Sequence, residues 1–250
     1  RRGIIIGCTI VAYEARFGLH RSRQEKDRLP SKINVISIDG PAAAGKTVVG
    51  RNLAQTLEFS YLDTGIMYRA VTWLALHRGI SVDDTSSLGH LTRDNPIKLV
   101  PDDDAKVTIA GFTLGVELRE PPVDSNVSGV AKVSAVREEL VAQQRAVARA
   151  SKIVMIGRDI GTVVLPNADL KIYLNASAEV RAQRRWQETR NRGENRDLNS
   201  ILDETLARDQ IDSDREDSPL RPAKDAWELN TDGLDIEEVV HQIVDRVKTL

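Results

Sequence analysis

The chain has 250 residues, 41% hydrophobic and 29% charged, with a net charge of −2. Such a length and balance suit a soluble globular protein with one substantial core and at most a small insert. The lone cysteine, Cys8, excludes an internal disulfide framework and a cysteine-rich zinc site, and it fits a reducing cytosol.

Residues 1–32 differ from the rest, with eight Lys/Arg against three Asp/Glu; the remainder holds 27 basic and 34 acidic residues, a net of −7. A body that acidic is a poor nonspecific binder of nucleic acid. The apolar run "GIIIGCTIVAY" (3–13) is shorter than the ~20 residues a spanning helix needs. No clear small-x-small cleavage site follows it. Residues 1–32 are therefore expected to be a poorly ordered, unassigned extension, with the folded domain covering 33–250.

"INVISI" (33–38) predicts a buried strand, followed by a Gly/Ala-rich turn and a helix to about Leu57 with Val49, Leu53, Ala54 and Leu57 on one face. "SYLDTG" predicts a second strand and Met67 to His77 a helix. In 97–118, "IKLV", "KVTIA" and "GVELRE" alternate with turn residues, which predicts a small antiparallel meander. A long helix is expected over roughly Ser128–Arg149, then strands at "KIVMI" and "LKIYLN", polar helices over 178–191 and 199–213, and a last strand at "AWELNT". Ile236, Val239, Val240, Ile243, Val244 and Val247 keep the 3.6-residue period, and Asp235 with Glu238 has the form of a capping box. The expected fold class is α/β: a P-loop parallel sheet of about five strands covered by helices on both faces, with a small antiparallel β insert.

"GPAAAGKT" (Gly40, Pro41, Ala42, Ala43, Ala44, Gly45, Lys46, Thr47) matches G-x-x-x-x-G-K-[ST], with a strand before it and a helix after. Small residues let backbone N–H groups close around phosphate oxygens at the helix N-terminus. Lys46 then reaches the β- and γ-phosphates and the Thr47 hydroxyl ligates Mg²⁺. No N-K-x-D for guanine is present, and position 156, where a strand-end carboxylate would serve a motor ATPase, is isoleucine. The arginine spacing points instead to an anionic second substrate.

"YLDTGIMYRA" (61–70), "GRDIGTVV" (157–164) and "RDQIDSDR" (208–215) follow the P-loop in that order. Together these motifs resemble cytidylate kinases, the bacterial CMP/dCMP kinases among the nucleoside monophosphate kinases. The resemblance runs from about Ile33 to the C-terminus and includes the insert, about 97–127. It implies transfer of a phosphoryl group from ATP, with Mg²⁺, to CMP or dCMP by a cytoplasmic monomer without nucleic-acid or membrane partners. By the same resemblance Arg69, Arg158 and Arg215 hold the acceptor phosphate with Thr64 near it. Asp159, Arg137 and Ser128 line the base pocket, Arg119 is a further candidate there, and Arg208 and Asp212 contact the sugar. A carboxylate facing the cytosine amino group and a guanidinium facing N3/O2 would suit cytosine and clash with uracil. "RAQRRWQETRNR" (181–192) becomes the lid, about 181–196, with Arg184 and Arg185 over the ATP phosphates and Arg181 nearby. Lys46, Arg158 and Arg184 are the residues expected to act in catalysis.

Other readings stay open from residues alone. Ser128 and Arg137 also fit a helix-terminal turn and a solvated helix face, Arg208 with Asp212 an i,i+4 ion pair, and the lid arginines an RNA patch or solvated helix. The acceptor could be UMP, AMP or a small metabolite, or the chain could bind nucleotide without turnover. Two departures from the family pattern stand out. Ile156 occupies a position usually acidic, and Ile66 replaces a smaller residue.

Overall fold

The computed structural model of the protein describes residues 33–101, 103–215 and 217–250. The expectation for the N-terminal extension lies outside the described residues. Five strands, β1 (Val35–Asp39), β2 (Ser60–Asp63), β6 (Ile153–Ile156), β7 (Leu170–Asn175) and β8 (Trp227–Asn230), form a sheet in the order β2-β6-β1-β7-β8. Every pairing in it is parallel. Crossover connections carry helices onto both faces, so both faces are apolar and the strands read as near-continuous hydrophobic runs. Ile36, Ile38, Val154, Ile156, Ile172 and Leu174 pack in one layer with Val49 and Leu53 of α1 (Lys46–Leu57). Val239, Ile243 and Val247 of α8 (Ile236–Lys248) complete that layer. Leu62, Ile153 and Met155 pack on the other face, against α2 (Thr64–His77) and α5 (Ser134–Ala148).

The three-stranded insert comprises β3 (Lys98–Val100), β4 (Asp103–Ile109) and β5 (Phe112–Leu114), antiparallel throughout. Ala110 and Gly111 both have positive φ, 50° and 85°, which gives the two-residue hairpin the twist its strands need. The expected strand at "GVELRE" is instead a single 3₁₀ turn, Val116–Arg119. Its alternating apolar residues mimic a strand, but Val116 points to solvent while Leu118 enters the core. A short helix, α3 (Thr85–Asp94), capped by Asp84 on the Ser87 N–H, was not expected.

The long helix expected over Ser128–Arg149 is two helices, α4 (Pro121–Val130) and α5. Pro121 and Pro122 start α4 because a first-turn proline has no hydrogen bond to lose. The break frees the Ala131 carbonyl, which accepts from Arg137 Nη1 at 3.4 Å. Helix α2 begins a turn earlier than expected, at Thr64, because Asp63 caps it. The C-terminal capping box is present, with both Asp235–Glu238 bonds at 2.8 Å. The remaining polar helices are α6 (Ala178–Asn191) and α7 (Leu198–Ser213).

Candidate active site

The phosphate loop runs from the end of β1 into α1. Gly40 has φ +147°, and a Cβ there would lie 2.0 Å from the Leu174 carbonyl oxygen, so no side chain is tolerated. Gly45 precedes α1 with φ +96°, and no side chain caps the helix, which leaves its first N–H groups to an anion. Lys46 is buried and donates to the Pro41 carbonyl at 2.6 Å. Burial, and next the Arg158 cation, push its pKa well below the usual lysine value, against Asp63, Asp39 and Asp212. Polyphosphate beside it would favour the ammonium form. The Thr47 hydroxyl donates to Asp63 Oδ2 at 3.2 Å. A hydroxyl oxygen next to a phosphate cradle is what Mg²⁺ would take, with waters and phosphate oxygens supplying the rest of its ligands. Among the described residues no cluster of three or more His, Cys, Asp or Glu could hold a metal ion.

The segment after β6 carries the charged pair of "GRDIG", and Asp39 at the end of β1 holds it. Its two oxygens accept from the Ile160 and Gly161 N–H groups, each at 2.7 Å. Burial raises the Asp39 pKa to about 6 despite those bonds. A single π turn, Ile160–Val164, follows. Arg158 turns back to the P-loop, with Nη1 donating to the Gly40 carbonyl at 3.2 Å and Nε to Asp212 Oδ2 at 2.8 Å. Arg215 pairs with the other oxygen of Asp212. Burial works to raise the Asp212 pKa, but Arg158 and Arg215 hold it below the ordinary carboxylate value. Arg208 makes no hydrogen bond to Asp212 four residues on; its Nε is buried without a partner among the described residues. Burial, then Arg158, push the Arg208 pKa down to about 10.

Asp159 points the other way and forms a buried ion pair with Arg137 of α5. Arg137 also donates to the Tyr68 hydroxyl at 3.3 Å and lies 5.8 Å from that ring's centre. Carboxylate and guanidinium are thus brought together. Ser128 is half-buried on α4 and makes no side-chain bond among the described residues, and Arg119 is exposed. Thr64 donates its hydroxyl to the Ile156 carbonyl at 2.9 Å.

Arg69 of α2 donates to the Leu118 carbonyl at 2.9 Å and pairs with Asp124 at 2.6 Å. Asp124, on α4, also pairs with Arg185 of α6 at 2.5 Å. Burial opposes ionisation of Asp124, yet Arg69 and Arg185 keep its pKa low. The three arginines of α6 separate. Arg181 is buried and paired with Asp209 of α7 at 2.6 Å. Arg185 faces α4, where it shares Asp124 with Arg69. Arg184 bonds both the hydroxyl and carbonyl of Thr231, at 3.1 and 2.9 Å, and lies 3.9 Å from where a Gly45 Cβ would be. Thr231 in turn reaches the Ala44 carbonyl at 3.4 Å. Sequence reasoning missed Asp39, Asp63, Asp124 and Thr231. Asp63 stood inside a motif already quoted, "YLDTGIMYRA", and Asp39 between two quoted runs, "INVISI" and "GPAAAGKT", whereas nothing local marks the others.

A phosphate loop at the carboxyl ends of a parallel sheet, faced by arginines and closed by an arginine-bearing helix, defines a P-loop phosphotransferase with an anionic acceptor. The family model described as cytidylate kinase matches residues 36–249. Cytidylate kinase of Geobacillus kaustophilus is 47% identical over 213 residues, covering 85% of this chain and 95% of the relative. That of Streptococcus suis is 46% identical over 217 residues, covering 86% and 96%. The chain belongs to the cytidylate kinase family.

Proposed function

We propose that the protein transfers the γ-phosphoryl group of ATP to CMP or dCMP, giving ADP and CDP or dCDP. One contact carries the reading of the site: Arg158 spans the P-loop carbonyl of Gly40 and Asp212 on α7, between donor and acceptor sides. The nucleophile is an oxygen of the acceptor's own phosphate, ionised near neutral pH, so no general base is needed. The chain's work is alignment and charge compensation. Lys46 and the P-loop N–H groups grip the donor, Arg69, Arg158 and Arg215 draw in the acceptor phosphate, and Arg184 and Arg185 lie over the crossing. Thr64 serves beside that phosphate. Thr47 holds Mg²⁺, which neutralises phosphate charge when bound. Asp159 accepts from the cytosine amino group and Arg137 donates to N3/O2, with Ser128 beside them. Arg208, through the Nε that has no partner among the described residues, and Asp212 meet the sugar.

No described helix is long and apolar enough to cross a membrane. The acidic body argues against nucleic acid, and the reading is of a cytoplasmic monomer that handles small nucleotides. An assay coupling ADP release to oxidation of a reporter, run with CMP, dCMP, UMP and AMP, tests the proposal. Turnover is expected to be highest with the cytidine nucleotides; ATP binding without CMP-dependent ADP release would refute it.

A further inference from the structure

Strand register sets two side chains next to each other beside the P-loop. Asp63 of β2 and Ile156 of β6 are paired residues. Tyr61 and Ile156 both pack in the layer shared with α1, so alternation along β2 puts Asp63 on that face too. Ile156 is 1% exposed and pressed against α1: a Cβ on Gly50 would meet its Cγ2 at 2.7 Å. It offers no polar atom. Asp63 offers a carboxylate with divided duties. Oδ1 accepts from the Gly65 N–H at 2.9 Å and caps α2, while Oδ2 accepts from the Thr47 hydroxyl at 3.2 Å.

We propose that Asp63 is the carboxylate that positions the divalent cation at the P-loop, supplying from β2 what Ile156 cannot supply from β6. The assignment rests on reading this loop as the ATP site. A hydroxyl that donates its one proton to a carboxylate turns its lone pairs away from it, ready for a cation. A carboxylate behind a metal ligand fixes that ligand's orientation and raises its basicity. Mg²⁺ keeps several of its waters, and an ionised carboxylate beside the ligand is an acceptor for their protons. Asp39, also at the end of a sheet strand, gives its two oxygens to the Ile160 and Gly161 N–H groups of the segment after β6, whereas Oδ2 of Asp63 is bonded to the candidate metal-ligand hydroxyl itself. Asp63 is thus a positioning residue for the ion.

The test uses the full chain with ADP and Mn²⁺ as the probe ion, free Mn²⁺ being read by electron paramagnetic resonance. Wild type, Asp63→Asn and Asp104→Asn are compared. The first variant is isosteric and retains Oδ1 for the α2 cap. The second removes an equal charge from the nearby Arg51–Asp104 pair. Mn²⁺ affinity of the ADP complex is expected to fall about tenfold in Asp63→Asn and to stay unchanged in Asp104→Asn. ADP affinity without metal, measured by calorimetry, is expected not to fall in either. Unchanged Mn²⁺ affinity in Asp63→Asn, or equal losses in both variants, overturns the assignment. An equal fall in metal-free ADP binding also overturns it, by showing that Asp63 shapes the loop alone. Wild-type protein that binds no ADP overturns the nucleotide reading and this assignment with it.

Discussion

Arg158 and Asp159 are neighbours in sequence with opposite partners: one leans on the P-loop and Asp212, the other is buried against Arg137. Removing them should therefore have different signatures. Arg158→Ala is expected to lower kcat/KM roughly 100-fold for CMP and UMP alike, since a phosphate carries no base identity. Asp159→Asn keeps the side-chain shape and is expected mainly to narrow the preference for CMP over UMP. Asp159→Ala should in addition cost about 3 kcal/mol of stability in urea denaturation, because Arg137 is left buried without a counter-charge. Equal losses for every base in both Arg158→Ala and Asp159→Asn would sink the division of roles. These residues were legible because they stand inside contiguous motifs. Asp124 and Thr231 were not, because each acquires its meaning from arginines far away along the chain, Arg69 and Arg185 for one and Arg184 for the other. An aspartate after two prolines reads locally as turn chemistry.

Elements were legible where one period dominated. The strands at 153–156 and 170–175 and helix α8 came out of their apolar patterns, and the P-loop out of its spacing. The break between α4 and α5 did not, because apolar residues continue through it and only the local backbone departs from helix. The same limit hid the bond from β1 to the turn after β6, where Asp39 accepts two backbone N–H groups. That bond has a pH signature. Its pKa rises from 3.8 unfolded to about 6 folded, so the folded state binds the proton more tightly. The resulting stability is fully present below pH 3.8 and is lost as pH rises through about 6. At roughly 1.36 kcal/mol per unit the loss approaches ~3 kcal/mol. Thermal melts of wild type and Asp39→Asn across this range should show the wild-type stability falling relative to the variant as pH rises. A difference that is flat with pH would remove Asp39 as the titrating group.

Asp124 on α4 joins helices from distant parts of the chain, pairing with Arg69 of α2 and Arg185 of α6. One carboxylate there holds two guanidiniums that the acceptor phosphate would also attract. In Asp124→Asn both arginines keep a neutral partner, and the KM for CMP is expected to fall severalfold with increased sensitivity to salt. A raised KM would instead make Asp124 an organiser of the cleft, and steady-state kinetics at two ionic strengths decides between them. A different coupling fixes the donor side. The Leu174 carbonyl stands where a side chain on Gly40 would be, and four residues beyond Leu174 the chain enters α6. The phosphate loop and α6 thus share one spine. A side chain at Gly40 would have to displace β7 from β1, so the strand pair beneath the loop sets its shape. With α6 as the lid of the proposed reaction, closure is expected to hinge between Leu174 and Ala178 and to leave the phosphate loop unchanged.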